Sequence, residues 1–127
     1  MSDTVHVLVI EDDAGYARLI QIALSEVNGH AQFETTWAPM LMRAVDQISV
    51  NRPDAILLDL NLPDIQGLNT LVSMVEKAPD IPIVVLTGLD NEMVALQAMQ
   101  KGAQDYISKD QLDKDLLSRT IRYAIER

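Results

Sequence analysis

The sequence predicts an α/β three-layer sandwich on a parallel five-stranded sheet, and three observations carry that prediction. Residues 5–10, 55–58 and 81–86 are nearly continuous apolar runs, as strands buried on both faces are. Between them lie stretches whose apolar residues recur at helical spacing. The connections are short, and a parallel crossover needs a helix between its strands. The 127 residues are the size of one domain, 1–127. Hydrophobic residues make up 48% of the chain and aromatic ones only 4%, so the core must be built from Val, Ile, Leu, Ala and Met.

Each element has its own local reason. The first strand, residues 5–10, is apolar apart from His6 and ends at Glu11-Asp12-Asp13, where a buried strand would meet solvent. Tyr16, Leu19, Ile20, Ala23, Leu24 and Val27 then mark a helix, which Asn28-Gly29 stops with residues that favour left-handed backbone. Residues 31–37 alternate more loosely, with Phe33, Thr35 and Trp37 on one face, as an edge strand does. Pro39 suits the first turn of a second helix running to about Ser49, because its missing N–H would have no partner there. Pro53-Asp54 breaks the chain before the run 55–58, which ends in Asp59. Residues 61–67 are turn chemistry, and Leu68, Leu71, Val72 and Val75 form a third helix that stops near Ala78-Pro79.

The run 81–86 ends in Thr87-Gly88. Asp90 is placed to cap a fourth helix, which carries Val94, Leu96, Ala98 and Met99 and closes at Lys101-Gly102. A short strand, 105–108, precedes Lys109. The last helix is expected to start near residues 110–113 and to carry Leu116, Leu117, Ile121, Ala124 and Ile125. No internal repeat, low-complexity tract or linker interrupts the pattern.

Composition excludes several classes. With 19 acidic against 10 basic residues the net charge is -9, so the long-range field repels phosphate backbones and argues against direct nucleic-acid binding. No cysteine is present, which removes disulfides and thiolate metal sites. The apolar runs are too short to span a bilayer, and Met1-Ser2-Asp3-Thr4 lacks the basic start of a signal peptide. The reading is a soluble, cytoplasmic chain with no membrane contact. His6 and His30 lack metal-ligand spacing, and the methionines suit packing or interfaces.

Binding groups of open α/β sheets gather at the carboxyl ends of the strands. In this chain those ends carry Glu11 and Asp12, Asp59, Thr87 and Lys109. Any one strand-end aspartate is more often a helix cap or turn residue, and a lone lysine is ordinarily a solvated amine. The set is different. Carboxylates brought together repel unless a cation or a shared proton offsets them, and with few carboxylates and room for water, Mg2+ is the natural ion. The ion and Lys109 would then offset the charge of a transferring phosphoryl group, Thr87 would donate to one of its oxygens, and Asp59 would serve as the nucleophile.

This constellation resembles the receiver domain of two-component response regulators, chemotaxis regulators among them, over essentially the whole chain. The resemblance implies a flavodoxin-like sheet in strand order 2-1-3-4-5. It implies that Glu11 and Asp12 form the acidic pair, Asp12 meeting the metal directly and Glu11 through water, while Asp13 caps the first helix. Asp59 matches the phosphoacceptor, and Asn61 the position whose backbone carbonyl completes the metal shell. Residues 62–67 resemble the family's Pro and Gly loop. Thr87 and Lys109 match the hydroxyl and amine that sense the phosphoryl group. Tyr106 matches the aromatic switch, whose ring turns inward as the Thr87 hydroxyl moves.

On this resemblance the phosphoryl donor is a histidine kinase or a phosphotransfer protein. The chain would catalyse its own phosphorylation and slow hydrolysis without being a turnover enzyme. Output is expected on the face of the fourth helix, fifth strand and fifth helix, with room for a phosphorylation-linked dimer. Asp110 stands where many receivers have proline, and apolar Leu89 cannot hydrogen-bond a hydrolytic water, which predicts a longer-lived phosphoryl group. A haloacid-dehalogenase-type phosphatase would need a second aspartate at Asn61, and a flavin module a hydroxyl-rich loop at Glu11-Asp12-Asp13. A degenerate receiver acting as a docking module would have lost part of a set that is intact here. The last helix reaches the chain end without a cap, as in a domain cut from a longer protein.

Overall fold

The computed structural model describes residues 3–27, 31–88 and 92–126. Five strands, β1 (Asp3–Ile10), β2 (Ala31–Ala38), β3 (Ala55–Asp59), β4 (Ile83–Thr87) and β5 (Asp105–Ser108), alternate with five α-helices. The helices are α1 (Ala14–Ser25), α2 (Leu41–Val50), α3 (Leu68–Lys77), α4 (Glu92–Gln100) and α5 (Lys114–Glu126). All strand pairs are parallel and the order is β2-β1-β3-β4-β5. The sheet order is the one the family resemblance implies, and β2 is an edge strand as its looser alternation predicts.

The central strands are apolar at successive positions because both of their faces are covered. Every residue of β3 and β4 is buried. Side chains alternate across the sheet, so Leu8, Ile10, Ile56, Leu58, Ile83 and Val85 pack under α2, α3 and α4. Val7, Val9, Leu57, Val84, Leu86 and Ile107 pack under α1 and α5. Fully burying one such aliphatic side chain is worth about 1.5–3 kcal/mol, and cutting one to Ala costs roughly 2–5 kcal/mol.

Several boundaries differ from expectation, each for a physical reason. Pro39 lies outside the second helix: Met40 is the N-cap and α2 begins at Leu41. Its cap comes from far along the chain, since Asp64 accepts from Leu41 N and Met42 N, both at 3.0 Å. The last helix starts later than residues 110–113. A 3-10 turn, Lys109–Gln111, intervenes, and Asp113 accepts from Asp115 N (3.1 Å) and Leu117 N (2.8 Å) at the true start. β4 begins at Ile83 rather than residue 81, and Pro82 contributes only its carbonyl, to Ile56 N (3.0 Å). Leu19 and Ile125, placed by spacing among the core residues, are exposed, because the α1 core stripe is Ala17, Ile20 and Leu24 and that of α5 is Leu117, Ile121 and Ala124. The stops and caps expected at Asn28-Gly29 and Asp90 lie outside the described residues, as does Leu89.

Candidate functional site

The carboxyl ends of four strands build the site. β1 ends at Ile10, and Glu11 beyond it is completely buried while Asp12 is exposed. The edge strand β2 holds the Glu11 backbone on both sides. Glu11 N donates to Ala38 O (3.1 Å), and Glu11 O accepts from Trp37 Nε1 (2.6 Å). Asp13 is the N-cap of α1, its Oδ1 accepting from Gly15 N (2.9 Å) and Tyr16 N (3.2 Å). The expected capping role of Asp13 is thus seen directly, and its own N–H donates to Glu11 Oε2 (3.2 Å).

β3 delivers Asp59, 5% exposed. Its Oδ1 accepts from Asn61 N (3.1 Å) and its Oδ2 from Lys109 Nζ (3.1 Å). The loop that follows is closed on itself by Leu62 N to Ile65 O (3.1 Å) and Gly67 N to Leu60 O (2.6 Å). Gly67 caps α3 at φ +74°, a conformation that side chains disfavour. β4 ends in buried Thr87, whose Oγ1 makes only a long bond to Ile107 O (3.4 Å). β5 leads into Lys109, whose Nζ stands 2.5 Å from Glu11 Oε1. Glu11, Asp12, Asp59, Asn61, Thr87 and Lys109 all line one open cleft.

The charges are crowded. One carboxylate oxygen from each of Glu11, Asp12 and Asp59 lies within 4.8 Å of the others. Burial and the adjoining Asp59 carboxylate raise the Glu11 carboxyl from 4.5 to about 7, against the lowering effect of Lys109. Burial alone would lower the Lys109 amine, but the Glu11 and Asp59 carboxylates outweigh it and hold it above its ordinary value. Glu11 Oε1 is buried and, despite the ion pair, takes no aligned hydrogen bond. A buried oxygen of this kind, beside two further carboxylates, fits a hard divalent cation such as Mg2+.

Six of the seven residues singled out from sequence therefore come together. The seventh, Tyr106, stands outside the cleft, exposed on the edge strand β5, with its backbone N bonded to Asp105 Oδ1 (2.8 Å). Asp110 follows Lys109 within the 3-10 turn and accepts from the Ser108 hydroxyl, and no cis peptide occurs among the described residues. Sequence reasoning missed Trp37 and Tyr16, reading them only as face residues of a strand and a helix. The signal available was chemical: an aromatic with a polar tip, in the elements flanking the acidic pair, usually seeks a polar partner when buried.

A family model for the response regulator receiver domain matches residues 7–121. The transcriptional regulatory protein KdpE of Staphylococcus aureus is 38% identical over 95% of this chain and 49% of its own length. The regulatory protein LuxO of Vibrio cholerae is 35% identical over 94% of this chain and 25% of its own. The chain thus spans half or less of these relatives. Among solved structures, NtrX from Brucella abortus superposes with a TM-score of 0.84 at 29% identity, covering 99% of this chain and 27% of that one. The Francisella response regulator 1452 receiver domain gives 0.82 at 27% identity, over 97% and 98%.

Proposed function

The chain belongs to the response regulator receiver family, and we propose that Asp59 is its phosphoacceptor, with Mg2+ held by Glu11, Asp12, Asp59 and the Asn61 backbone carbonyl. The observation that carries this reading is the single Lys109 ammonium set between buried Glu11 and Asp59, beside a third carboxylate. Mg2+ bound there would offset the charge of the carboxylates and of the incoming phosphoryl group. Asp59 attacks phosphorus, the bond from phosphorus to the donor breaks, and the donor leaves with the electron pair. Lys109 moves from the Asp59 carboxylate to a phosphoryl oxygen. The Thr87 hydroxyl gives up its long bond to Ile107 O for another phosphoryl oxygen, and the Tyr106 ring turns inward behind it. The new dianion shifts the balance between two loop arrangements, which is all the switch requires.

A histidine kinase or a histidine phosphotransfer protein supplies the phosphoryl group, in the cytoplasm, and the chain releases it slowly rather than turning over substrate. Output passes through the face of α4, β5 and α5, where Met93, Leu96, Met99 and Tyr106 are exposed. That face also suits a phosphorylation-linked dimer. Relatives that share this span are as different as a transcriptional regulatory protein and a protein-glutamate methylesterase. The output activity therefore belongs to what accompanies a receiver in each protein. A phosphatase of the haloacid dehalogenase type lacks support, because the residue two beyond Asp59 is Asn61, which offers its backbone N–H to that carboxylate.

The test is incubation with Mg2+ and acetyl phosphate, read by intact mass. One added phosphoryl group is expected on the wild type. It should be absent when the metal is omitted and absent from Asp59→Asn. No adduct on the wild type, or an equal adduct on the variant, overturns the assignment.

A further inference from the structure

Tyr16 meets Lys109 at both ends of the lysine. Its phenol donates to the Lys109 backbone carbonyl (3.0 Å), and its ring centroid lies 4.9 Å from Lys109 Nζ. Both contacts join residues 93 apart in the chain. They depend on the start of α1, where the Asp13 carboxylate fixes Tyr16 by its backbone N–H. The phenol is protonated and a donor at neutral pH, and burial pushes it further up, to about 12. Lys109 lies just past the last ladder pair, Thr87 with Ser108, where the sheet no longer holds the chain.

We propose that Tyr16 is a positioning residue, holding the backbone and the ammonium of Lys109 so that the amine faces Glu11 and Asp59, and that it thereby sets the rate at which Asp59 is phosphorylated. The proposal rests on the reading of Asp59 as phosphoacceptor. With acetyl phosphate the bond from phosphorus to the acetyl oxygen breaks, acetate leaves with the electron pair, and a new bond forms to an Asp59 oxygen. Lys109 balances the charge on the transferring oxygens only if it is in place when they arrive. Lysine has much rotamer freedom to lose, and the Tyr16 ring and phenol remove part of it beforehand. A cation over an aromatic face is held with a definite direction of approach, which an aliphatic side chain cannot supply.

The test compares Tyr16→Leu and Tyr16→Phe with the wild type in phosphorylation by acetyl phosphate and Mg2+. Tyr16→Leu is expected to slow the reaction about 10-fold, and Tyr16→Phe, which keeps the ring, to stay within about 3-fold of the wild type. In a Lys109→Met background, Tyr16→Leu should change the residual rate by less than about 2-fold, because its effect runs through the lysine. The Lys109 side-chain protons should resonate upfield in the wild type and in Tyr16→Phe, and lose that displacement in Tyr16→Leu. Should Tyr16→Leu fail to fold, the Lys109 resonances of the wild type decide: side-chain protons without an upfield displacement overturn the proposal. Equal rates in wild type and Tyr16→Leu, or undiminished slowing without the lysine, overturn the proposal and leave the phosphoacceptor reading intact. A wild type that takes no phosphoryl group overturns both.

Discussion

At the carboxyl end of the sheet, buried Glu11 and Asp59 share one lysine and a buried oxygen is left without an aligned hydrogen bond; at the amino end, the polar groups of the connections are paired, the Asp54 carboxylate among them accepting from His6 N (2.8 Å). There Asp54 N donates to His6 O (2.8 Å), Gln104 N to Ile83 O (2.8 Å) and Ile81 N to Ala78 O (3.2 Å). A hollow at that end is lined by Val75, Pro79, Asp80, Pro82, Gly102 and Ile125, with Asp80 its one charged group. The two ends rest on the same strands, so fold alone does not require the crowded carboxylates. Charge crowded at one end while the other is satisfied supports the proposal that the chemistry lies at the first.

The largest expected consequence concerns pH. The Glu11 carboxyl titrates near 7 in the folded protein against an ordinary 4.5. A raised folded value means that the folded state binds the proton more tightly. This contribution to stability is fully present below the ordinary value and is lost as pH rises through about 7. Metal-free protein should therefore lose thermal stability between those two values, and Glu11→Gln should flatten that slope and melt above the wild type at pH 8. Mg2+ should raise the wild-type melting point most at the alkaline side, where Glu11 is ionised, and raise the variant's less. A wild type whose melting point climbs through this window without metal would break the contrast between the two ends.

Gly102 sharpens the contrast from the quiet end. It has φ +116°, and an added Cβ would stand 3.3 Å from Val75 Cγ2. Gly102→Ala should cost about 1–2 kcal/mol, a fall of roughly 3–6 °C in Tm, by calorimetry. Its rate of phosphorylation by acetyl phosphate should match that of the wild type. The smallest effect is expected at Leu89: a polar replacement such as Leu89→Asn should shorten the half-life of the phosphoryl group by a few-fold, read by its decay after donor removal. Unchanged decay would discard that role.

The carboxyl end was also the more legible of the two in sequence. β3 and β4 announce themselves as apolar runs that stop at Asp59 and Thr87, and buried strands have few other ways to stop. Glu11, Asp12 and Lys109 could be placed because strand ends share one edge in any parallel sheet. What escaped depends on contacts between residues far apart in sequence. The indole of Trp37 reaches Glu11 across 26 residues and Tyr16 reaches Lys109 across 93, so their polar tips signal that a partner is needed but not which one. The start of α2 was misjudged for a related reason: propensity favours Pro39, whereas the carboxylate of Asp64, more than twenty residues on, decides where the free N–H groups find acceptors. The start of α5 is set locally, by Asp113 at the end of the expected range 110–113.

Asp64 carries one more implication. Its two oxygens hold the first amides of α2, while its own loop is pinned by Asn61 N on Asp59, Leu62 N on Ile65 and Gly67 N on Leu60. Nine residues, 59–67, thus span a set distance between the end of β3 and the start of two helices. One residue more or fewer would unhook α2 from its cap or move Asp59 out of reach of Lys109. Side chains in this loop can be exchanged, but its length is a fixed dimension of the molecule, and insertions are better borne elsewhere.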